Sequence, residues 1–310
     1  MADLPKYDEL GYIAELGARS ASGVFGTDDL IGRLNLLTPE RVLAAVTEVR
    51  EGRTFNLSLP LNEPNPPWAR GREQYRHTVF APNRNSQDDY VDNFYLQGSS
   101  QWDSLRHIRA REFGFYNGIP AGDDHVLGIH QWAQRGIIGR GVVVDVEHFC
   151  RESGRDWDPR SGERITVELL QQAIAAQGVT VRTGDIMLLR TGFVGGFLAA
   201  DEAGRLDYRE HRDSNGLIAT EDMARYLWDA GWAAVATDNP AVEAVPGSAE
   251  DGFLHRRLIP LLGFALGELF ALDELARDCH ADRRYSCLFV GVPLNLPGGV
   301  GSPANSIAVK

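Results

Sequence analysis

Apolar residues recur along the chain with two spacings, one that suits strands and one that suits helices. Thr38-Pro39-Glu40 precedes the amphipathic run Arg41 to Val46. Thr38 can cap such a helix, Pro39 suits its first position, and the pattern stops before Gly52. Residues 54–60 alternate polar and apolar side chains as a half-buried strand does, until Pro60 ends the run. Pro64, Pro66, Pro67 and Pro82 then mark Asn62 to Gln87 as a loop long enough to be functional. From Asp88, β character returns through Tyr90, Val91, Phe94 and Leu96.

Three later stretches, Gly141 to Val146, Gly184 to Thr191 and Trp232 to Asp238, are short apolar runs. That is the pattern of strands buried on both faces of a sheet. Amphipathic helices are predicted between them, over Val167 to Gln177 and Thr220 to Ala230. Polar groups close the apolar strands, and strand ends of this kind carry the chemistry of α/β folds. Further on, the pattern predicts a helix from His255 to Leu262 stopped by Gly263, an apolar segment ending at Glu268, a helix near Leu272 to Asp278 and a strand from Tyr285 to Val290. With no internal repeat and no clear linker, the expected architecture is one mixed α/β domain over residues 51–310. Residues 1–50 are expected to form a projecting N-terminal extension that contains the first helix.

Composition narrows the partners. The 310 residues are 43% hydrophobic and 24% charged, ordinary values for a folded globular chain. With 31 Lys+Arg against 43 Asp+Glu, a net charge of −12 opposes attraction to nucleic acid or anionic lipid, so a small molecule is the expected partner. Cys150, Cys279 and Cys287 show no CxxC spacing and are too few for a disulfide framework, which points to a reducing, cytoplasmic setting. No basic leader followed by an apolar run is present, and no stretch approaches the ~20 apolar residues of a membrane span.

Candidate chemistry concentrates in residues 97–107, Gln-Gly-Ser-Ser-Gln-Trp-Asp-Ser-Leu-Arg-His. On extended chain Gln101 and Asp103 point to one face. Asp103 could hold a divalent cation with Gln101 as a weak oxygen ligand, while His107 binds the metal or carries a proton. The same residues also read as a polar turn capped by Ser100 or Asp103. His255 and Glu268 would lie on different faces of one straight helix, and a break at Gly263 would let them converge. Glu268 stands among Phe264, Ala265, Leu266, Leu269 and Phe270, so it needs a cation, a hydrogen-bond network or exposure. Trp68, Phe80, Trp102, Phe113, Phe115 and Tyr116 could line a pocket or simply fill the core. Arg106 could meet a substrate carboxylate or pair with a surface acid. Cys150, two residues after His148, does not by itself make a nucleophilic dyad.

These residues resemble the metal-dependent cyclase-like hydrolases that include kynurenine formamidase and isatin hydrolase. The family motif His-x-Gly-Thr-His-x-Asp-x-Pro-x-His aligns with residues 97–107, with Gln97 and Gln101 standing for two of its histidines, Asp103 for its Asp and His107 for its last His. Gly139 to Asp145, Gly184 to Gly192, Thr237-Asp238-Asn239-Pro240, the His255 and Glu268 pair, Pro293-Leu294-Asn295 and Gly299 to Pro303 extend the resemblance from about residue 54 to the end. It implies a swivelling β/β/α fold and hydrolysis of an amide, lactam or lactone through metal-activated water. By the same resemblance, Asp103, His255, Glu268 and Gln101 hold one Mn²⁺ or Zn²⁺ ion and His107 is the catalytic acid/base. Gln97, Trp102, Arg106 and Trp68 are then expected to bind substrate, in a homo-oligomer that is a dimer or tetramer. The two carboxamides favour harder ions and a single metal, and they resemble a Gln-Trp-Asp version of the motif in a cyclase-like subgroup. Two competing expectations are a metal-free dehydratase, cyclase or isomerase using His107 and Glu268, and a non-catalytic small-ligand-binding protein.

Overall fold

The four apolar runs of the middle and C-terminal parts lie side by side at the centre of one sheet. In the computed structural model, which describes residues 4–122 and 126–310, strands Ala265–Glu268, Ala234–Thr237, Ile186–Arg190 and Ile137–Asp145 are parallel neighbours in that order. Their side chains are buried almost throughout, which explains the continuous rather than alternating hydrophobicity. Antiparallel strands extend the sheet on both sides. Gln101–Asp103 and then Gly301–Pro303 flank Ala265–Glu268, while Ser286–Gly291, Ser306–Val309 and Thr54–Asn56 follow Ile137–Asp145. The fold is therefore a mixed α/β domain on a nine-stranded sheet.

Helices start where capping residues permit. Thr38 accepts a hydrogen bond from the Arg41 amide ahead of the helix Pro39–Val46, and Thr166 does so for Leu169 ahead of Val167–Ala176. Each such cap contributes about 1 kcal/mol to its helix. The helices Val167–Ala176 and Glu221–Asp229 bury Leu169, Leu170, Ala173, Met223, Leu227 and Trp228 in the main core.

Three expectations are corrected here. The stretch Asn62 to Gln87 is not all loop, because Arg76–Asn83 and Ser86–Asp92 form an antiparallel hairpin with almost every residue exposed. Pro82 is tolerated since this ribbon has no further strand for that position to bond. The N-terminal residues do not project: Tyr7, Leu10, Ala18, Ala21, Leu34, Leu36 and Leu37 belong to the same buried cluster as the central strands. Gly32 and Gly263, both at positive φ, meet so closely that a Cβ on Gly32 would stand 2.2 Å from the Gly263 carbonyl oxygen. The third correction concerns His255 to Leu262, which is one short α-turn, Leu254–Arg256, followed by a π-type turn Arg257–Leu261 containing Pro260. Proline has no amide proton, so the regular ladder cannot continue through it. Among the described residues, no helix is long and apolar enough to cross a membrane.

Candidate metal centre

The C-terminal ends of the parallel strands carry Asp145, Arg190, Thr237 and Glu268 along one edge of the sheet. Next to Glu268 the antiparallel strand brings Gln101 opposite it in register, with Asp103 opposite Leu266. Side chains directly across a ladder share a face, as do residues two apart on one strand. Gln101, Asp103 and Glu268 therefore face the same way, and Gln101 Nε2 donates to Glu268 Oε2 at 2.7 Å.

The fourth group arrives from outside the sheet. The broken helix holds His255 so that its Nε2 lies 3.0 Å from Glu268 Oε1 and 3.7 Å from Asp103 Oδ2. Ligand atoms of Asp103, His255 and Glu268 all fall within 4.8 Å of one another, and all three residues are buried. Two buried oxygens of the cluster have no hydrogen-bond partner, Asp103 Oδ2 and Gln101 Oε1. Orphaned buried acceptors are costly unless a cation satisfies them. One imidazole nitrogen and two carboxylates suit Zn²⁺ or Mn²⁺, so Asp103, His255 and Glu268 fit a single divalent ion, with the Gln101 carboxamide beside them.

Electrostatics among these side chains are set by burial and mutual charge. Burial and the Asp103 charge push Glu268 up to about 7. Burial opposes protonation of His255, yet Glu243, Asp103 and Glu268 together hold its pKa well above the usual histidine range. For Asp103, burial is outweighed by His107, His255 and Gln97, leaving its carboxyl below the ordinary value. His107 moves down, chiefly through burial, and so is neutral at pH 7.

His107 and Gln97 form the outer part of the centre. The Gln97 amide donates to Asp103 Oδ1 and lies 3.1 Å from His107 Nδ1. Because that amide nitrogen can only donate, Nδ1 accepts and Nε2 carries the proton. His107 Nε2 stands 3.7 Å from Asp103 Oδ2, so the ring presents its N–H toward the orphaned carboxylate oxygen. Arg72 anchors the assembly by donating to the Gln97 carbonyl.

The remaining residues singled out in the sequence are distributed differently. Trp102 alternates with Gln101 and Asp103 and so points to the opposite face, into the core, with 0% exposure. Its ring packs edge-on against Phe270 at 5.2 Å and Phe289 at 6.0 Å, which corrects the expectation that it binds substrate. Trp68 packs against Phe193 at 4.9 Å, in a smaller apolar cluster that includes Leu59 and Leu269. The Arg106 guanidinium donates to the Val126 carbonyl at 3.3 Å and lies over Phe115. Cys150 is buried on the helix Val146–Glu152, and burial raises its thiol, the reverse of what a nucleophile needs.

One functional residue was not singled out in the sequence. Glu243 Oε2 meets His255 Nδ1 at 2.5 Å, both side chains being buried, and Glu243 Oε1 accepts from the His255 amide at 3.4 Å. A carboxylate on the outer imidazole nitrogen orients a metal-binding histidine and fixes its tautomer. The available signal was a glutamate inside the apolar stretch Ala241, Val242, Ala244 and Val245.

Comparison with known proteins places these features in a family. Residues 55–244 match the family described as Putative cyclase. The solved structure of a novel cyclase is 36% identical, with a TM-score of 0.82 over 94% of this chain and 99% of its own. Isatin hydrolase A from Labrenzia aggregata, bound to benzyl benzoate, is similar in fold at 18% identity and a TM-score of 0.60, covering 83% of this chain and 93% of its own. A predicted metal-dependent hydrolase from Bacillus stearothermophilus aligns at 17% identity and a TM-score of 0.52, over 84% of this chain and 98% of its own. No curated protein matches the chain. Since the family match spans more than half of the sequence and includes the Gln101-Trp102-Asp103 strand, this chain belongs to the cyclase family.

Proposed function

We propose that the protein is a metal-dependent hydrolase that cleaves the carbonyl C–N or C–O bond of an amide, lactam or lactone. The observation that carries this reading is the buried cluster of Asp103, His255 and Glu268, whose ligand atoms lie within 4.8 Å of one another and include the orphaned Asp103 Oδ2. Asp103, His255, Glu268 and Gln101 would hold one Mn²⁺ or Zn²⁺ ion. Such an ion polarises a carbonyl and brings the pKa of water from 15.7 to about 7.

The chain supplies a donor to the leaving group. With Nδ1 accepting from Gln97, neutral His107 presents its Nε2–H as a hydrogen-bond donor that would stabilise charge developing on the leaving nitrogen or oxygen. The proton that the leaving nitrogen or oxygen takes up comes from the attacking water, whose oxygen bonds the carbonyl carbon as the C–N or C–O bond breaks. Asp103 stays ionised beside His107, which holds the Nε2–H in place. Gln97 positions both groups through one amide.

Elemental analysis of protein purified without a histidine tag or added metal tests the reading. About one equivalent of Mn or Zn per chain is expected, lost in Asp103→Ala. A wild-type protein that takes up neither ion after incubation refutes it and favours metal-free proton transfer.

The reading extends to a homo-oligomer, a dimer or tetramer. It is supported by the Arg76–Asp92 hairpin, which exposes Val79, Phe80, Tyr90 and Val91. A two-stranded ribbon without a core is marginal in water and gains stability from a covering surface. Light scattering that gives a monomer mass at micromolar concentration refutes this part.

A further inference from the structure

The segments that carry the centre also build a concavity beside it. Ala110 and Arg111 follow His107, while Phe253, Arg256, Arg257 and Leu261 surround His255 in sequence, and together they line a cavity of about 410 Å³. That volume is in the range of small-molecule sites, roughly 300–1,000 Å³. Phe253 is the shared wall: it is 40% exposed, and its ring stacks on His255 at 5.3 Å with 14° between planes.

Charge distinguishes this cavity from the rest of the molecule. On a chain of net charge −12, its described lining holds three arginines and no acidic residue. Neither Arg111 nor Arg256 pairs with a carboxylate among the described residues, whereas the nearby Asp251 is engaged by Arg164. Arg256 lies 5.5 Å from the Phe253 ring centroid, and Arg257 is held by donating to the Ala219 carbonyl at 3.2 Å. Arg111 is kept at φ 47°, a conformation rare for residues with a side chain, and strain of that kind collects at ligand sites.

From the guanidinium trio and the aromatic wall beside His255, we infer that this cavity binds an organic carboxylate with an apolar body, the anchoring end of the substrate. Guanidinium groups pair with carboxylates through two parallel hydrogen bonds, and Phe253, Ala110 and Leu261 offer the apolar surface. The inference rests on the hydrolase reading only in calling the ligand a substrate.

Ligand-observed NMR titration of metal-free protein with phenylacetate and its neutral isostere phenylacetamide tests the binding. Phenylacetate is expected to bind at least fivefold more tightly, with the preference shrinking in high salt. The exposed pair Arg111→Gln/Arg256→Gln is expected to reduce that preference at least threefold while circular dichroism stays unchanged. Equal binding of acid and amide, or a preference that survives the double substitution, overturns the site. In the metal-loaded enzyme, amides of one body with and without a distal carboxylate separate the two claims. Faster turnover of the acid supports anchoring, and equal turnover overturns it. Turnover of neither refutes the hydrolase reading and leaves the carboxylate site to the NMR result.

Discussion

Glu243→Gln removes one charge from the centre and, with an NH2 group in place of one carboxylate oxygen, the long contact with the His255 amide. Glu243 is buried against His255, accepting from Nδ1 at 2.5 Å and from the backbone amide at 3.4 Å. The glutamine carbonyl can still accept from Nδ1, so the ring keeps its place and Nε2 still faces Asp103 and Glu268. What is lost is the negative charge that makes the imidazole a stronger donor toward a cation. Partners of this kind are worth about 10- to 100-fold in metal affinity, or about 1.4 to 2.7 kcal/mol. Competition between the protein and a chromophoric chelator for Mn²⁺ reads the change directly, and the thermal midpoint of the metal-free variant serves as a folding control. An affinity within threefold of wild type in a folded variant refutes the argument that Glu243 tunes His255. Glu243→Ala differs in kind, because it leaves the buried Nδ1–H of His255 without an acceptor while Glu268 and Asp103 still face Nε2, and it is expected to cost about 1 to 3 kcal/mol of stability.

His107→Gln is expected to lower kcat by about 10²- to 10⁴-fold while elemental analysis finds the metal content unchanged, and wild-type turnover or loss of the ion contradicts the assigned role. The pH dependence has a defined sign. Glu268, raised to about 7, and His255, raised above its ordinary value, favour their protonated forms in the metal-free fold. That stabilisation is present below their unfolded values and is lost as pH rises through the folded ones. The thermal midpoint in EDTA should therefore fall between pH 6 and 8, whereas Mn²⁺ affinity should rise at least tenfold over the same interval as those protons leave, and a flat affinity profile counts against the ligand set. Trp102→Ala should destabilise the fold by about 3 to 5 kcal/mol in urea titrations, since the indole lies between Phe270 and Phe289, and a change below 1 kcal/mol contradicts its place in the core.

Much of the scaffold is legible in local pattern. The runs over 141–146, 184–191 and 232–238 became neighbouring parallel strands, and the helices after Thr38 and Thr166 begin at the residues whose side chains cap them. Those features depend on neighbours within a few positions, so periodicity and capping chemistry suffice to find them. Gly263 likewise marks the break that separates His255 from the strand of Glu268. The hairpin at 76–92 escaped because prolines in an edge-only ribbon carry the same signal as prolines in a loop.

The centre itself depends on register across the sheet. Gln101 and Glu268 are 167 residues apart, and only their pairing places both on one face with Asp103 while turning Trp102 into the core. A shift of one residue would exchange those faces, and nothing in residues 97–107 alone excludes it. Glu243 became a partner of His255, and Arg111 and Arg256 became walls of one cavity, through the same long-range packing. Sequence alone determined the central strands and their flanking helices, the family motif and the kinds of chemistry available, because these are written in short-range pattern and residue type. Tertiary structure alone decided which oxygens are orphaned, which imidazole is protonated and which aromatic is buried, because burial, charge and hydrogen bonding at one point in space are set by chain segments far apart in sequence.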